Sequence, residues 1–147
     1  MCYWHRAGMG IGLTLLLHSA PVAGQTVDTA AAVQAATAAA DAWLRLVDDG
    51  QYGASWDSAA SAFQGAVARE TWEQAVLRAR GPLEPFGARQ KPAAHFTTQL
   101  PNAPAGQYVV LQYSTTVAQG RTATEVVTPM LDGKRGWRVS GYFVRPQ

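Results

Sequence analysis

The sequence predicts an α+β domain in which about three N-terminal helices pack on a curved, four-stranded antiparallel sheet in a cone-like layout. Three observations predict it. Apolar residues recur at helical spacing up to Ala79, whereas after Pro85 the period changes to two. Gly50, Gly81-Pro82 and Asp132-Gly133 stand where helices and hairpins must stop or turn. The strand-like segments are joined by short connections, which makes sequential strands neighbours.

The first two dozen residues do not contribute to that fold. Arg6 supplies a basic flank, Ala7 to Leu17 is an uncharged apolar run, and Ser19 to Gly24 is a tract rich in small residues. The apolar run is short of the about 20 residues that a membrane-spanning helix needs, so 1–24 reads as an export signal cleaved after Gly24. Residues 25–32 follow as a small, polar, flexible leader, and 33–147 form a single α+β domain. The expected location is periplasmic or secreted, with no membrane attachment once the signal is removed.

The 147-residue chain is one domain in size. Its single cysteine, Cys2, lies in the signal. Cleavage removes every thiol and with it disulfides, iron–sulfur clusters and Cys nucleophiles. The domain must hold together through its core, and at this size it can bury roughly two-thirds of its unfolded surface. The net charge of +2 falls by one with Arg6. A near-neutral surface of this kind argues against a nucleic-acid partner.

Along the chain, Val33, Ala36, Ala40, Trp43, Leu44 and Val47 recur every three or four residues and mark one face of a first helix. Gly50 is placed to terminate it in a left-handed conformation. A second helix is predicted over about Tyr52 to Ala62, with Tyr52 and Trp56 on one face. Thr71 followed by Gln74 suggests a capping box for a third helix, whose stripe is Trp72, Ala75, Val76 and Ala79. Gly81-Pro82 ends it.

The first strand spans Ala88 to Leu100, with Pro92 confining part of it to an edge or bulge. Pro101 to Gly106 is a turn. Tyr108 to Val117 is the clearest strand, with Val109, Leu111, Tyr113, Thr115 and Val117 on one face. Gln119 to Arg121 connects to a β-branched strand from Thr122 to Leu131. Asp132 to Gly136 is a hairpin turn. Trp137 to Val144 closes the sheet, with Trp137, Val139, Gly141 and Phe143 sharing a face; a buried Trp137 would cost about 3–5 kcal/mol on truncation to alanine.

The spaced residues Trp43-Leu44, Val47-Asp48, Gly50, Tyr52, Ser55-Trp56, Trp72, Arg80, Pro82-Leu83, Gly106 to Val110 and Gly136 to Phe143 resemble the bacterial domain of unknown function 4019 family over about residues 33–145. The resemblance implies an exported protein with a layout similar to the nuclear transport factor 2-like (cystatin-like) cone. It implies no reaction and no catalytic residues. Enzymes with that cone, ketosteroid isomerases and dehydratases among them, place an Asp or His base and a Tyr donor in its hollow.

Few residues here suit such chemistry. His95, the sole histidine after the signal, reads as a strand residue beside Phe96. Asp57 reads as an exposed helix acid, and Glu125 as an acid at a wet strand end despite sharing parity with Val127. Asp48-Asp49-Gly50 lacks the alternating ligands of a calcium loop, and the two acids are expected to accept hydrogen bonds from the next helix's N-terminus. There is no phosphate loop, dinucleotide fingerprint or nucleophile elbow. No metal and no cofactor are expected. Trp43, Trp56, Trp72 and Trp137 follow the core pattern, with an aromatic ligand pocket as the other reading. Arg78, Arg80, Arg89 and Lys91 gather near the helix-to-sheet junction, either as a solvated rim or as an anionic-ligand or partner patch.

The balance of these readings is an exported, non-catalytic module that binds a partner protein or a small ligand. Its candidate contacts are Tyr52, Trp56, Arg80, Tyr113 and Tyr142. The alternatives are a small-molecule isomerase or hydrolase using an Asp or Tyr in the cone, and an envelope accessory that forms a homodimer through a bare sheet edge or a large face.

Overall fold

The computed structural model describes residues 26–147; the expected export signal and its expected cleavage point lie outside the described residues. The element order is helix α1 (Thr29–Asp48), α2 (Tyr52–Asp57), α3 (Ser61–Ala66), α4 (Arg69–Arg80), then strands β1 (Ala93–Thr97), β2 (Tyr108–Thr116), β3 (Thr122–Leu131) and β4 (Trp137–Pro146). The strands form one antiparallel sheet in the order β1-β2-β3-β4, curved and open, with the helices against it. The α+β reading and the meander therefore hold.

Helix α1 starts earlier than its apolar stripe does. Asp28 accepts the Ala31 amide at 3.0 Å and caps the helix, so Thr29 to Ala32 are helical and not part of a leader. The helix ends as its sequence indicates. Gly50 has φ +72°, its N–H donates to the Val47 carbonyl, and the Gln51 N–H reaches back to Leu46. These are the two bonds of a Schellman motif.

The predicted second helix is broken in two. Ala60 is extended, with its N–H donating to the Val139 carbonyl of the edge strand β4 at 2.8 Å. A backbone donor spent on the sheet cannot continue a helix. The capping box at Thr71 does not form either; the N-cap lies three residues earlier, at Ala68, and offers no side-chain cap.

The main core lies between α1, α4 and the sheet. Ala36, Ala40, Trp43, Leu44 and Val47 meet Trp72 and Val76, and both sets pack on Val109, Leu111, Tyr113, Val127 and Val139. The small Ala36 and Ala40 let α1 approach the strands closely. Trp43 and Trp72 tilt against one another, and Tyr142 packs against both. Ser55, fully buried, takes both indoles: its carbonyl accepts from Trp43 Nε1 at 2.8 Å and its hydroxyl from Trp72 Nε1 at 2.9 Å.

Strand β1 is shorter than predicted. Before Pro92 the chain keeps only an isolated bridge, Arg89 to Thr115, with irregular backbone bonds along β2. On β4 the predicted facing fails after Val139. Pro129 pairs with Val139, yet Thr128 pairs with Gly141, so Ser140 is an extra residue in the ladder. Pro129 has no N–H to give, and a bulge is where a strand tolerates that. The bulge exchanges the faces: Tyr142 turns into the core, while Phe143 is 57% exposed. Trp137 is half-buried at the margin of the core.

Candidate functional site

Two constructions stand out, and only one has room for a ligand. The first is a buried ion cluster where the C-terminal ends of α1 and α4 meet the sheet. Arg80 and Glu125 are both fully buried. Arg80 donates from Nη1 to Glu125 at 3.0 Å and to the Tyr142 hydroxyl at 2.8 Å, from Nη2 to Asp48 at 2.7 Å, and from Nε to Glu84 at 3.4 Å. Arg89 spans the same two acids, at 2.6 and 2.8 Å to Asp48 and at 2.6 and 3.2 Å to Glu125. Thr115 and Tyr142 each donate a hydroxyl to Glu125 at 2.6 Å.

This arrangement corrects several sequence-based expectations. Glu125 is not a wet strand-end acid; its parity with Val127 takes it inward, where two guanidiniums neutralise it. Arg80 is not on a solvated rim, and its buried guanidinium, occupied on every nitrogen, is not presented to a partner. Asp48 accepts from Arg80 and Arg89 and not from a helix N-terminus, which also offsets an acid at the unfavourable end of α1. Burial would raise the pKa of Glu125, but the hydrogen bond and charge of Arg89 outweigh it and hold the carboxyl below its usual range. Asp48 is lowered by the same balance of burial against Arg89 and Arg80. Burial and Glu125 push the Tyr142 phenol up, so it stays neutral and donates.

The other candidate residues are dispersed. Tyr113 is 2% exposed, and its hydroxyl donates to Asp41 at 2.8 Å. Burial first, then Asp41, raises its pKa, so it too remains a neutral phenol. Tyr52 and Trp56 are half-buried against the core, and Trp56 Nε1 is held by the Val67 carbonyl at 2.8 Å. His95 is exposed on β1. Of the five candidate contacts, Arg80 and Tyr142 meet in the ion cluster, and none of the five lines the pocket that forms the second construction.

That pocket has a volume of about 410 Å³ and lies between α3, the β1–β2 loop and the bulged part of β3–β4. Its volume falls within the usual range for small-molecule sites, roughly 300–1,000 Å³, whereas two neighbouring clefts of about 150 and 180 Å³ do not. Phe63, Val67, Leu100, Tyr108 and Met130 supply most of its apolar bulk. Tyr108 and Met130 are cross-strand partners and alternate with the core residues Val109 and Pro129 along their strands.

The walls are fixed by named bonds. Asp132, in the β3–β4 turn, accepts the Ser61 N–H at 2.8 Å and the Ser61 hydroxyl at 2.9 Å, capping α3 from across the fold. Arg135 adds a bond to Ser61 at 2.8 Å and one to the Ala59 carbonyl at 3.2 Å. The loop opposite is held by the Tyr108 hydroxyl, which donates to the Pro104 carbonyl at 2.6 Å, and it turns at Asn102 with φ +59°. Asp, Glu, His, Lys and Arg are all missing from the lining.

Sequence reasoning missed this site because its parts are far apart in the chain. The Pro101–Gly106 turn and the outward parity of Tyr108 were visible separately, but their meeting with α3 depends on the break at Ala60, which has no local signal. Among the described residues no His/Cys/Asp/Glu group could hold a metal ion, and no helix is long and apolar enough to cross a membrane.

No curated protein and no solved structure matches the chain. A family model does, over residues 39–142, a span reaching from the middle of α1 to Tyr142 and taking in the ion cluster and the pocket; the chain belongs to the family described as protein of unknown function (DUF4019).

Proposed function

We propose that this protein is a non-catalytic, exported binding module of the bacterial envelope that holds a small apolar molecule in the pocket between α3 and the β1–β2 loop. One observation carries the reading: this pocket of about 410 Å³ is walled mostly by apolar side chains and contains no carboxylate, imidazole, amine or guanidinium. The hydroxyls of Tyr108, Thr128 and Ser140 have no base in the wall to activate them for nucleophilic or acid–base chemistry. The pronounced ionic chemistry of the domain is in the cluster around Glu125, whose acids and guanidiniums are committed to one another. Export rests on the leader over 1–24, and a nuclear transport factor 2-like cone is compatible with the helices-on-sheet layout.

The test is a titration of the domain with the neutral fluorophore N-phenyl-1-naphthylamine, on the native chain and on Ala66→Trp. Ala66 lies in the pocket wall on α3 and is exposed, so an indole there fills the space without disturbing the core. Saturable one-site binding to the native chain, lost in a variant of unchanged melting temperature, is the expected result. No saturable binding, or equal binding by the variant, would remove the pocket from consideration.

A further inference from the structure

The hydroxyl groups in the pocket wall narrow the ligand class, in an inference that rests on the pocket being the binding site. Tyr108, Thr128 and Ser140 all line it. Two of these hydroxyls have already given away their protons. Tyr108 donates to the Pro104 carbonyl at 2.6 Å, and Ser140 donates to the Thr128 carbonyl at 2.8 Å. A hydroxyl has one proton and two lone pairs, so a committed hydroxyl can only accept further bonds. Both commitments are built into the fold. The first holds the β1–β2 loop against β2, and the second bridges the bulge opposite Pro129. Neither proton can be withdrawn for a ligand without loosening a wall of the site.

The remaining polar side chains in the wall are neutral. Thr128 carries a hydroxyl, and Asn102, on the exposed loop, carries an amide. The pocket therefore offers lone pairs in an apolar surround, two neutral donors and no cationic partner. An anionic ligand would exchange its hydration there for neutral donors alone, with no opposite charge to balance it. A molecule with no polar group would fit but leave the lone pairs unused. We infer that the ligand class is uncharged and largely apolar, with a hydroxyl or N–H that donates to the half-buried Ser140, while Tyr108, 1% exposed, holds the wall. This disfavours fatty acids, phosphates and other anions, and favours a phenol, an alcohol or an amide-bearing aromatic.

Three probes of nearly one size test it: 2-naphthol, naphthalene and 2-naphthoate, titrated at pH 7.5. One additional neutral hydrogen bond corresponds to about a five-fold gain. The expected order is 2-naphthol about five-fold tighter than naphthalene, with 2-naphthoate at least ten-fold weaker than naphthalene. Ser140→Ala should bring 2-naphthol to within two-fold of naphthalene, both measured on that variant. Equal binding of 2-naphthol and naphthalene, or binding of 2-naphthoate as tight as either, would overturn the ligand class while leaving the pocket in place. A preference for 2-naphthol that survives Ser140→Ala would overturn the role given to Ser140. Failure of all three probes together with N-phenyl-1-naphthylamine would instead refute the pocket. If Ser140→Ala unfolds, the order measured on the native chain decides the ligand class alone.

Discussion

Replacing Arg80 with alanine tests the most heavily connected group in the molecule. The guanidinium is fully buried and bonds to Asp48, Glu84, Glu125 and Tyr142. It also lies 3.5 Å over the Phe86 ring. Breaking a buried pair by deleting one partner costs about 3–5 kcal/mol, because the other charge is left in a dry site. Two features of this site move that figure in opposite directions. Arg89 remains bonded to both Asp48 and Glu125, so neither acid is stripped, which lowers the cost. Loss of the side chain also removes a cation–π contact and leaves a cavity, which raises it. The expected destabilisation is about 3–4 kcal/mol, a large part of the roughly 5–15 kcal/mol that holds a domain of this size folded. Urea unfolding at pH 7, followed by tryptophan fluorescence, should show the midpoint falling with an unchanged slope. Arg80→Lys should recover less than half of the loss, since a compact ammonium does not span the four partners of a planar fork. A cost below about 1 kcal/mol for Arg80→Ala would mean that the cluster is open to water, and the argument for a buried network would fall.

The acids of the cluster should make stability pH-dependent in one direction. Their folded pKa values lie below the ordinary 4.5 for Glu125 and 3.8 for Asp48, so their contribution is complete above those values and is lost as pH falls through the folded ones. Glu125→Gln should lower stability at pH 7 but flatten the acid limb by up to about 1.4 kcal/mol per pH unit; an acid limb as steep as the native one would contradict the assignment. Ser55→Ala removes the acceptor of the buried Trp72 N–H and should cost about 1–3 kcal/mol in chemical denaturation, whereas an exposed serine would cost almost nothing. Trp43→Ala should cost about 3–5 kcal/mol, and the half-buried Trp137→Ala clearly less, so equal losses would refute the facing of β4. At Gly50, with φ +72° and open space where a Cβ would stand, alanine should cost about 1 kcal/mol by backbone strain alone, and asparagine less.

The regular parts of this fold are legible because they are local. The α1 stripe, the left-handed Gly50, the Tyr108–Thr116 alternation and the Asp132–Gly136 turn each follow from residues within one element. What escaped sequence reasoning depends on partners from elsewhere. Ala60 breaks a helix because the β4 edge takes its N–H, and the α3 cap comes from Asp132 at the far end of the chain. The Ser140 bulge has a cue in Pro129, but its site is set by the opposing strand, and one extra residue there sends Tyr142 inward and Phe143 outward. Glu125 looked solvent-bound because a lone acid on a strand normally is; its two guanidinium partners come from α4 and from the segment before β1.

The two constructions divide the work between them. The ion cluster joins α1 through Asp48, α4 through Arg80, β2 through Thr115, β3 through Glu125 and β4 through Tyr142, with Arg89 closing the set. Apolar faces such as those of α1 and α4 can slide against a sheet at small cost, because dispersion and burial are non-directional. Fixed donor and acceptor geometry is not so tolerant: a one-residue shift of either helix would leave a buried charge unpaired. The cluster thus locks the helices in register at one end of the sheet. The pocket lies among α3, the β1–β2 loop and the Ser140 bulge, and none of the cluster's residues lines it. Its walls are held by single neutral bonds and by the Asp132 cap, fewer and weaker constraints than those around Glu125. The proposed binding role draws on this contrast between a scaffold that does not yield and a site walled by fewer and weaker bonds.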